Sequence, residues 1–237
     1  MTATGRHPPP TADEIERRFR NPAVIVARPV ILGSIGLLGA ARNFGWRASS
    51  LHRLENLKPP LILAPNHQSH ADTAAILGTL PRRVRERTAV AAALDVFGNG
   101  GNNEMPSLRR EFLQLIVAAG FHAFAFDRYG PPLRSLRTAV RLIDNGWSIL
   151  MYPEGTRSRT GRMGTFKPGV SVLARFTRRP VVPIHVEGGR RVLPCGAFMP
   201  RPGRITVRYG SPLWFGRHET LMGFAARVQD RVQELRR

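Results

Sequence analysis

Short apolar runs alternate with stretches of helical spacing through the middle of the chain. Leu61-Ile62-Leu63-Ala64, Thr88 to Leu94, Phe121 to Phe126, Ser148 to Tyr152, Val181 to Val186 and Ile205 to Tyr209 read as strands. Helices are expected after Asp72, over Phe112 to Ala119, and over Val170 to Thr177. Another is expected where Leu133, Leu136, Val140 and Ile143 recur at helical spacing, with Asn145-Gly146 as its stop. From Glu219 onward, Leu221, Ala225, Val228, Val232 and Leu235 form one stripe under a basic outer face. This alternation predicts a single α/β domain with a mostly parallel central sheet flanked by helices.

The N-terminal region has a different pattern. Residues 1–22 carry Pro8-Pro9-Pro10 and mixed charge, and read as a flexible or partly helical leader without the features of a signal peptide. Ala23 to Ala41 is apolar but interrupted at Arg28-Pro29. The clean piece from Val30 is about twelve residues, where a spanning helix needs about 20. Residues 23–56 are therefore expected to form a helical, membrane-interfacial segment, with a buried helix as the alternative. In the interfacial arrangement Arg20, Arg28, Arg42 and Arg47 lie at phosphate level, with Phe44 and Trp46 below them. The remaining residues, 57–237, would be the catalytic or binding domain.

Charge sharpens the choice of partners. The 237 residues carry 36 basic against 16 acidic side chains, a formal net charge of +20, and only Lys58 and Lys167 are lysines. Such a surface attracts anions: phospholipid headgroups, phosphorylated substrates, an acidic carrier protein or nucleic acid. No nucleic-acid module is recognisable, and the basic residues are dispersed rather than interleaved with aromatics. A lone cysteine, Cys195, excludes an internal disulfide framework. Set in a Pro-Cys-Gly turn, it is a poor nucleophile.

The candidate chemistry begins at Asn66-His67-Gln68-Ser69-His70-Ala71-Asp72, between an apolar strand and the start of a helix. Ser69 and Asp72 have capping-box spacing, which makes Ser69 the expected N-cap and leaves His67 in the loop. Asp72 in the first turn can then face back towards the imidazole, as in an oriented general base. A purely structural cap is the alternative, and metal ligation by His67, His70 and Asp72 lacks an obvious fourth ligand. Two further features follow predicted strands: Asp127-Arg128, and the loop Glu154-Gly155-Thr156-Arg157-Ser158. Open α/β sheets gather ligands beyond the carboxyl ends of their strands. Gly155 would permit close backbone approach, while Arg157, Arg128 and Lys167 would supply an anion site.

These stretches carry a resemblance. The run from Asn66 to Asp72 resembles the N-H-x-S-x-x-D box of the glycerolipid acyltransferases, and Tyr152-Pro153-Glu154-Gly155-Thr156-Arg157-Ser158 resembles the P-E-G-T-R-S box of their lysophosphatidic acid (1-acyl-sn-glycerol-3-phosphate) branch. Phe124 to Arg128, Phe166-Lys167-Pro168-Gly169 and Val182-Pro183-Ile184 are similar to further blocks in the same order, so that the likeness runs from about Leu54 to Leu213. Where many family members carry a lysine between the first two boxes, Val90 to Asp95 has none.

The resemblance implies transfer of a fatty acyl group from acyl-CoA or acyl carrier protein to the hydroxyl of 1-acyl-glycerol-3-phosphate. His67 would be the general base and Asp72 its orienting carboxylate. Arg128, Glu154, Gly155, Thr156, Arg157 and Lys167 would bind the acceptor, with Glu154 orienting Arg157 or a glycerol hydroxyl. No cofactor or metal is implied, and the place of work would be the cytoplasmic face of the cell membrane. Another lysolipid or lipoamino acceptor, or a non-catalytic basic binding protein, are the alternatives.

Overall fold

The computed structural model describes residues 10–93, 116–126, 132–158, 160–194, 197 and 199–236. Its strands are β1 (Phe44–Ser49), β2 (Ile62–Pro65), β3 (Thr88–Ala93), β4 (Ala123–Phe126), β5 (Ser148–Leu150), β6 (Val181–Glu187) and β7 (Gly203–Tyr209). They form one sheet in the order β1-β7-β6-β2-β5-β3-β4. Neighbours pair in parallel except β6 and β7, so β2 to β6 all run the same way and end on one edge of the sheet. The mostly parallel α/β architecture expected from the alternating pattern is the one observed.

Period-two alternation divides the central strands between two cores. Ile62, Ala64, Ile149 and Val181 face one cluster, built with α1 (Ala12–Phe19), α6 (Pro132–Asp144), α7 (Gly169–Thr177) and α9 (Leu221–Glu234). Leu61, Leu63, Leu150, Val182, Ile184 and Val186 face the other, with α4 (Ala71–Thr79) and the single turns α3 (His52–Glu55), α5 (Arg82–Arg85) and α8 (Gly189–Val192). Burial on both faces explains why these strands read as continuous apolar runs. It also fixes register, since a one-residue slip would exchange the two cores.

The N-terminal region departs most from the sequence reading. Within the expected leader, α1 has a complete Thr11/Glu14 capping box and buries Ala12, Ile15 and Phe19 in the first core. The interruption expected at Arg28-Pro29 does not occur. Helix α2 (Pro22–Ala41) is continuous, with mean hydropathy 1.9, and is long and apolar enough to cross a membrane. Arg28 is not at phosphate level. It is buried and donates to the carbonyls of Gly120, Arg85 and Glu86, anchoring α2 to the domain. Phe44 and Trp46 lie on a strand rather than a helix: they belong to β1, paired with β7, and the indole of Trp46 packs against Gly78. A strand here was illegible because Phe44-Gly45-Trp46-Arg47 offers no long β-branched run. Its partner β7 lies far along the chain. The helix expected over Phe112 to Ala119 and the loop Gly98 to Asn103 fall wholly or partly outside the described residues; Ile116–Gly120 is a π-helical turn.

Two buried histidines give the fold a pH dependence. Burial, with Arg28 and Arg18 close by, pushes the His122 imidazole down to about 3; its ring lies against Phe19 and Trp147. Burial beside Arg208 pushes His185 down to about 4, against the opposing pull of Glu187. Both stay neutral in the folded chain where the unfolded chain, with ordinary values near 6.5, takes up protons. Stability is therefore complete above about pH 6.5 and falls on acidification, by up to roughly 1.4 kcal/mol per pH unit for each histidine. Thermal melts between about pH 7.5 and pH 5 should show a declining Tm. That window stays above the range of Glu14, Glu16, Glu187 and Glu219, whose carboxyls are held low; Glu154, whose carboxyl burial raises, acts in the opposite sense and shallows the decline. A flat Tm across it would contradict the assignment.

Candidate functional site

The site forms at the carboxyl edge of β2, β5 and β6. After Pro65 the chain leaves β2, and Asn66 keeps it tied to β6: its side chain donates to the Val186 carbonyl and accepts from the Val186 N–H. This amide takes the place of a ladder partner at the strand end, so His67 emerges at a defined point beyond the sheet.

His67 and Asp72 meet as the spacing suggested, with Nδ1 and Oδ2 3.2 Å apart. The Asp72 carboxylate is fully buried, and Oδ2 also accepts from the backbone N–H groups of Gln68 and Ser69 at 2.7 Å each. Such a carboxylate is locked in place before any substrate arrives. Oδ1 makes no hydrogen bond and lies against Gly189, where a Cβ would sit 2.0 Å from it. Only glycine fits at that position.

The helix cap differs from expectation by one residue. Helix α4 starts at Ala71 with His70 as N-cap and no side-chain cap bond. Ser69 Oγ accepts from the Ala71 N–H and donates to the Leu193 carbonyl at 2.6 Å, so it ties the loop to the segment after α8 rather than closing a capping box. The Leu193 carbonyl, from the segment after α8 on the same face of the sheet, takes the hydroxyl instead.

On its other side, the His67 ring stacks on Tyr152, with centroids 3.7 Å apart and planes at 19°. The Tyr152 hydroxyl shares a 2.7 Å hydrogen bond with Thr73 Oγ1, which fixes the phenol. Burial, with Asp72 nearby, holds Tyr152 well above the ordinary tyrosine range, so it stays protonated. The imidazole is thus clamped by a carboxylate at its edge and an aromatic plate on its face, leaving Nε2 as the nitrogen away from Asp72.

Glu154 holds two loops together. Its Oε1 accepts from the His67 backbone N–H at 2.7 Å and its Oε2 from the Gly164 N–H at 2.8 Å. Each oxygen thus holds one backbone donor, and through them Glu154 joins the His67 loop to the segment carrying Gly164. Burial raises its carboxyl above the usual range, opposed by those two backbone donors. The Ser158 N–H donates to the His67 carbonyl at 2.9 Å, and Gln68 Nε2 reaches the Gly161 carbonyl, closing the same junction.

Gly155 has φ +74°, and the Lys167 ammonium lies 3.0 Å from where its Cβ would stand. Glycine there admits both the left-handed turn and the cation. The structure therefore brings together His67, Asp72, Glu154, Gly155 and Lys167, with Thr156 exposed and Arg157 half-buried in the same loop. Arg128 lies outside the described residues, as does Cys195. Sequence reasoning placed Asn66 and Tyr152 inside the two boxes without giving either a role, and it missed Gly189, for which the consecutive glycines Gly188-Gly189 after a strand were the visible signal.

A family model described as Acyltransferase matches residues 49–187, more than half of the chain. Over 95 residues the chain is 40% identical to a 1-acyl-sn-glycerol-3-phosphate acyltransferase of Limnanthes douglasii, a match covering 39% of this chain and 34% of that protein. It is 29% identical over 92 residues to a 1-acyl-sn-glycerol-3-phosphate acyltransferase of Bacillus subtilis (strain 168), covering 39% of this chain and 43% of that protein. The chain thus spans less than half the length of these curated relatives. The crystal structure of the 1-acyl-sn-glycerophosphate (LPA) acyltransferase PlsC from Thermotoga maritima shares the fold, with TM-score 0.63 at 20% identity over 93% of this chain and 84% of that one.

Proposed function

Because the chain belongs to the acyltransferase family, we propose that it moves a fatty acyl group from an acyl thioester to the free hydroxyl of 1-acyl-glycerol-3-phosphate, giving phosphatidic acid and a free thiol. The observation that carries this reading is the pre-set His67–Asp72 pair, 3.2 Å apart, beside a loop bearing Lys167 and Arg157.

The acceptor hydroxyl attacks the thioester carbonyl while His67 Nε2 takes its proton. Asp72 holds Nδ1–H and stabilises the imidazolium that forms. The C–S bond then breaks, and the proton passes from Nε2 to the departing thiolate. Thioesters are already activated, so positioning and charge stabilisation supply the remainder of the rate. Lys167 and Arg157 suit the acceptor phosphate, one as a point charge and the other as a fork. Arg128 is proposed for the same anion. Gly155 and Thr156 line the loop, and Glu154 serves by holding it. The donor is acyl-CoA or acyl carrier protein.

Membrane contact belongs to α2. Its inward stripe of Arg28, Ile31, Leu32, Ile35 and Gly39 packs on the domain, while Ile25, Val26, Val30 and Leu37 are more than half exposed. A helix held to its domain along its length lies on one side of a bilayer, which favours an interfacial α2 and a monotopic enzyme at the cytoplasmic face.

The test is a thiol-release assay with one acyl-CoA against lysophospholipids presented in anionic vesicles, with glycerol 3-phosphate alongside. Thiol release is expected with lysophosphatidate above the other acceptors. Preference for a different lysolipid would change the acceptor. No release with any acceptor, repeated with acyl carrier protein as donor, would leave a basic binding protein. In the same vesicles a variant with Ile25→Ser, Val30→Ser and Leu37→Ser should sediment less; equal sedimentation would remove α2 from the membrane contact.

A further inference from the structure

A second concentration of positive charge lies next to the catalytic pair, outside the acceptor loop. Arg190, Arg191, Pro194 and Arg201 line a cavity of about 520 Å³ on and after α8, and no carboxylate is among these residues. All three arginines are exposed. Glu187, the acidic residue nearest in sequence, is bonded to Arg208 at 2.9 Å and also feels the charge of Arg191, so one carboxylate is shared between two of the basic side chains of this region. Guanidinium groups facing one concavity repel one another unless an anion sits between them.

The cavity is physically coupled to the site. Gly189, which packs on Asp72 Oδ1, is followed directly by Arg190. Arg190 Nη1 lies 3.1 Å from where a Cβ of Gly161 would stand, so it also touches the loop that Glu154 and Gln68 tie to His67. Leu193, next to Pro194, receives the Ser69 hydroxyl. The Arg201 N–H donates to the Val192 carbonyl at 2.7 Å, closing the far wall.

We propose that the Arg190–Arg191–Arg201 cavity holds the phosphoryl groups of the nucleotide of an acyl-CoA donor; this rests on the acyl-transfer reading above. The acceptor phosphate has its own cations at Lys167 and Arg157. A nucleotide with a pyrophosphate and a ribose phosphate offers separate anionic groups to the three forks, which pair bidentately with phosphate. Its flexible pantetheine arm allows the thioester to reach His67 while the nucleotide is held.

The experiment compares wild type with Arg190→Ala/Arg201→Ala, using acyl-CoA and acyl-pantetheine, which lacks the nucleotide. The variant should raise KM for acyl-CoA by about tenfold or more, in line with loss of charge-assisted bonds. KM for acyl-pantetheine and for the lysolipid should be unchanged, and kcat nearly so. Calorimetric titration with coenzyme A alone, free of turnover, should show the same weakening. Equal coenzyme A binding by both proteins overturns the proposal, whatever the activity. Weaker sedimentation with anionic vesicles at unchanged coenzyme A affinity would reassign the cavity to lipid headgroups, and a raised KM confined to acyl carrier protein would reassign it to an acidic protein. If wild type binds coenzyme A through these arginines yet transfers no acyl group, the cavity stands and the acyl-transfer reading fails.

Discussion

Replacing His67 with alanine is expected to lower acyl transfer by about 10²–10⁴-fold, the usual contribution of a positioned general base. The protein should remain folded. The His67 backbone is held through its N–H by Glu154 and through its carbonyl by Ser158, and neither bond needs the imidazole. Loss of the ring removes one face of the stack on Tyr152, whose hydroxyl stays bonded to Thr73. Turnover and a thermal melt on the same preparation check this. Near-normal turnover would remove His67 from the chemistry, and collapse of the melt would show that the ring is part of the fold.

Asp72→Asn is expected to be comparably damaging for a different reason. The carboxylate oxygen Oδ2 accepts from His67 and from two backbone N–H groups, so the amide oxygen must occupy that position. The new NH₂ then points where Oδ1 now lies, against Gly189 with no acceptor. An unsatisfied buried donor costs about 1–3 kcal/mol of stability. The negative charge that would stabilise the imidazolium is lost as well, and with it about 10²–10⁴-fold in rate. The pH profile separates the two effects. Loss of the charge should move the acidic limb of kcat to lower pH, since a histidine without its carboxylate is a weaker base. A variant that is destabilised but keeps its rate and its pH profile would make Asp72 structural only.

Much of the site was legible because its parts are local in sequence. His67 and Asp72 are five positions apart, and a loop entering a helix brings them together from either of two neighbouring N-caps. The expectation therefore survived the shift from Ser69 to His70. The role of Glu154 was not legible: both its partners, His67 and Gly164, are contributed by loops whose junction depends on β2 and β5 being neighbours. Arg28 was misread for a similar reason. A lone arginine in an apolar run looks like a membrane-surface residue until the carbonyls of Gly120, Arg85 and Glu86 are seen to converge on it.

The sequence by itself determined the parallel α/β class, the strand positions within the domain, and the two boxes that meet at the site. These follow from hydrophobic periodicity and from residue spacing, which act over one or two elements. Only the tertiary structure decided that β1 completes the sheet, that α1 belongs to the core, and that Tyr152 and Gly189 clamp the histidine and its carboxylate. It alone brought Arg190, Arg191 and Arg201 around one cavity beside them. Each of these depends on contacts between segments far apart in the chain, whose pairing is set by which faces are buried together, and no local pattern carries that information.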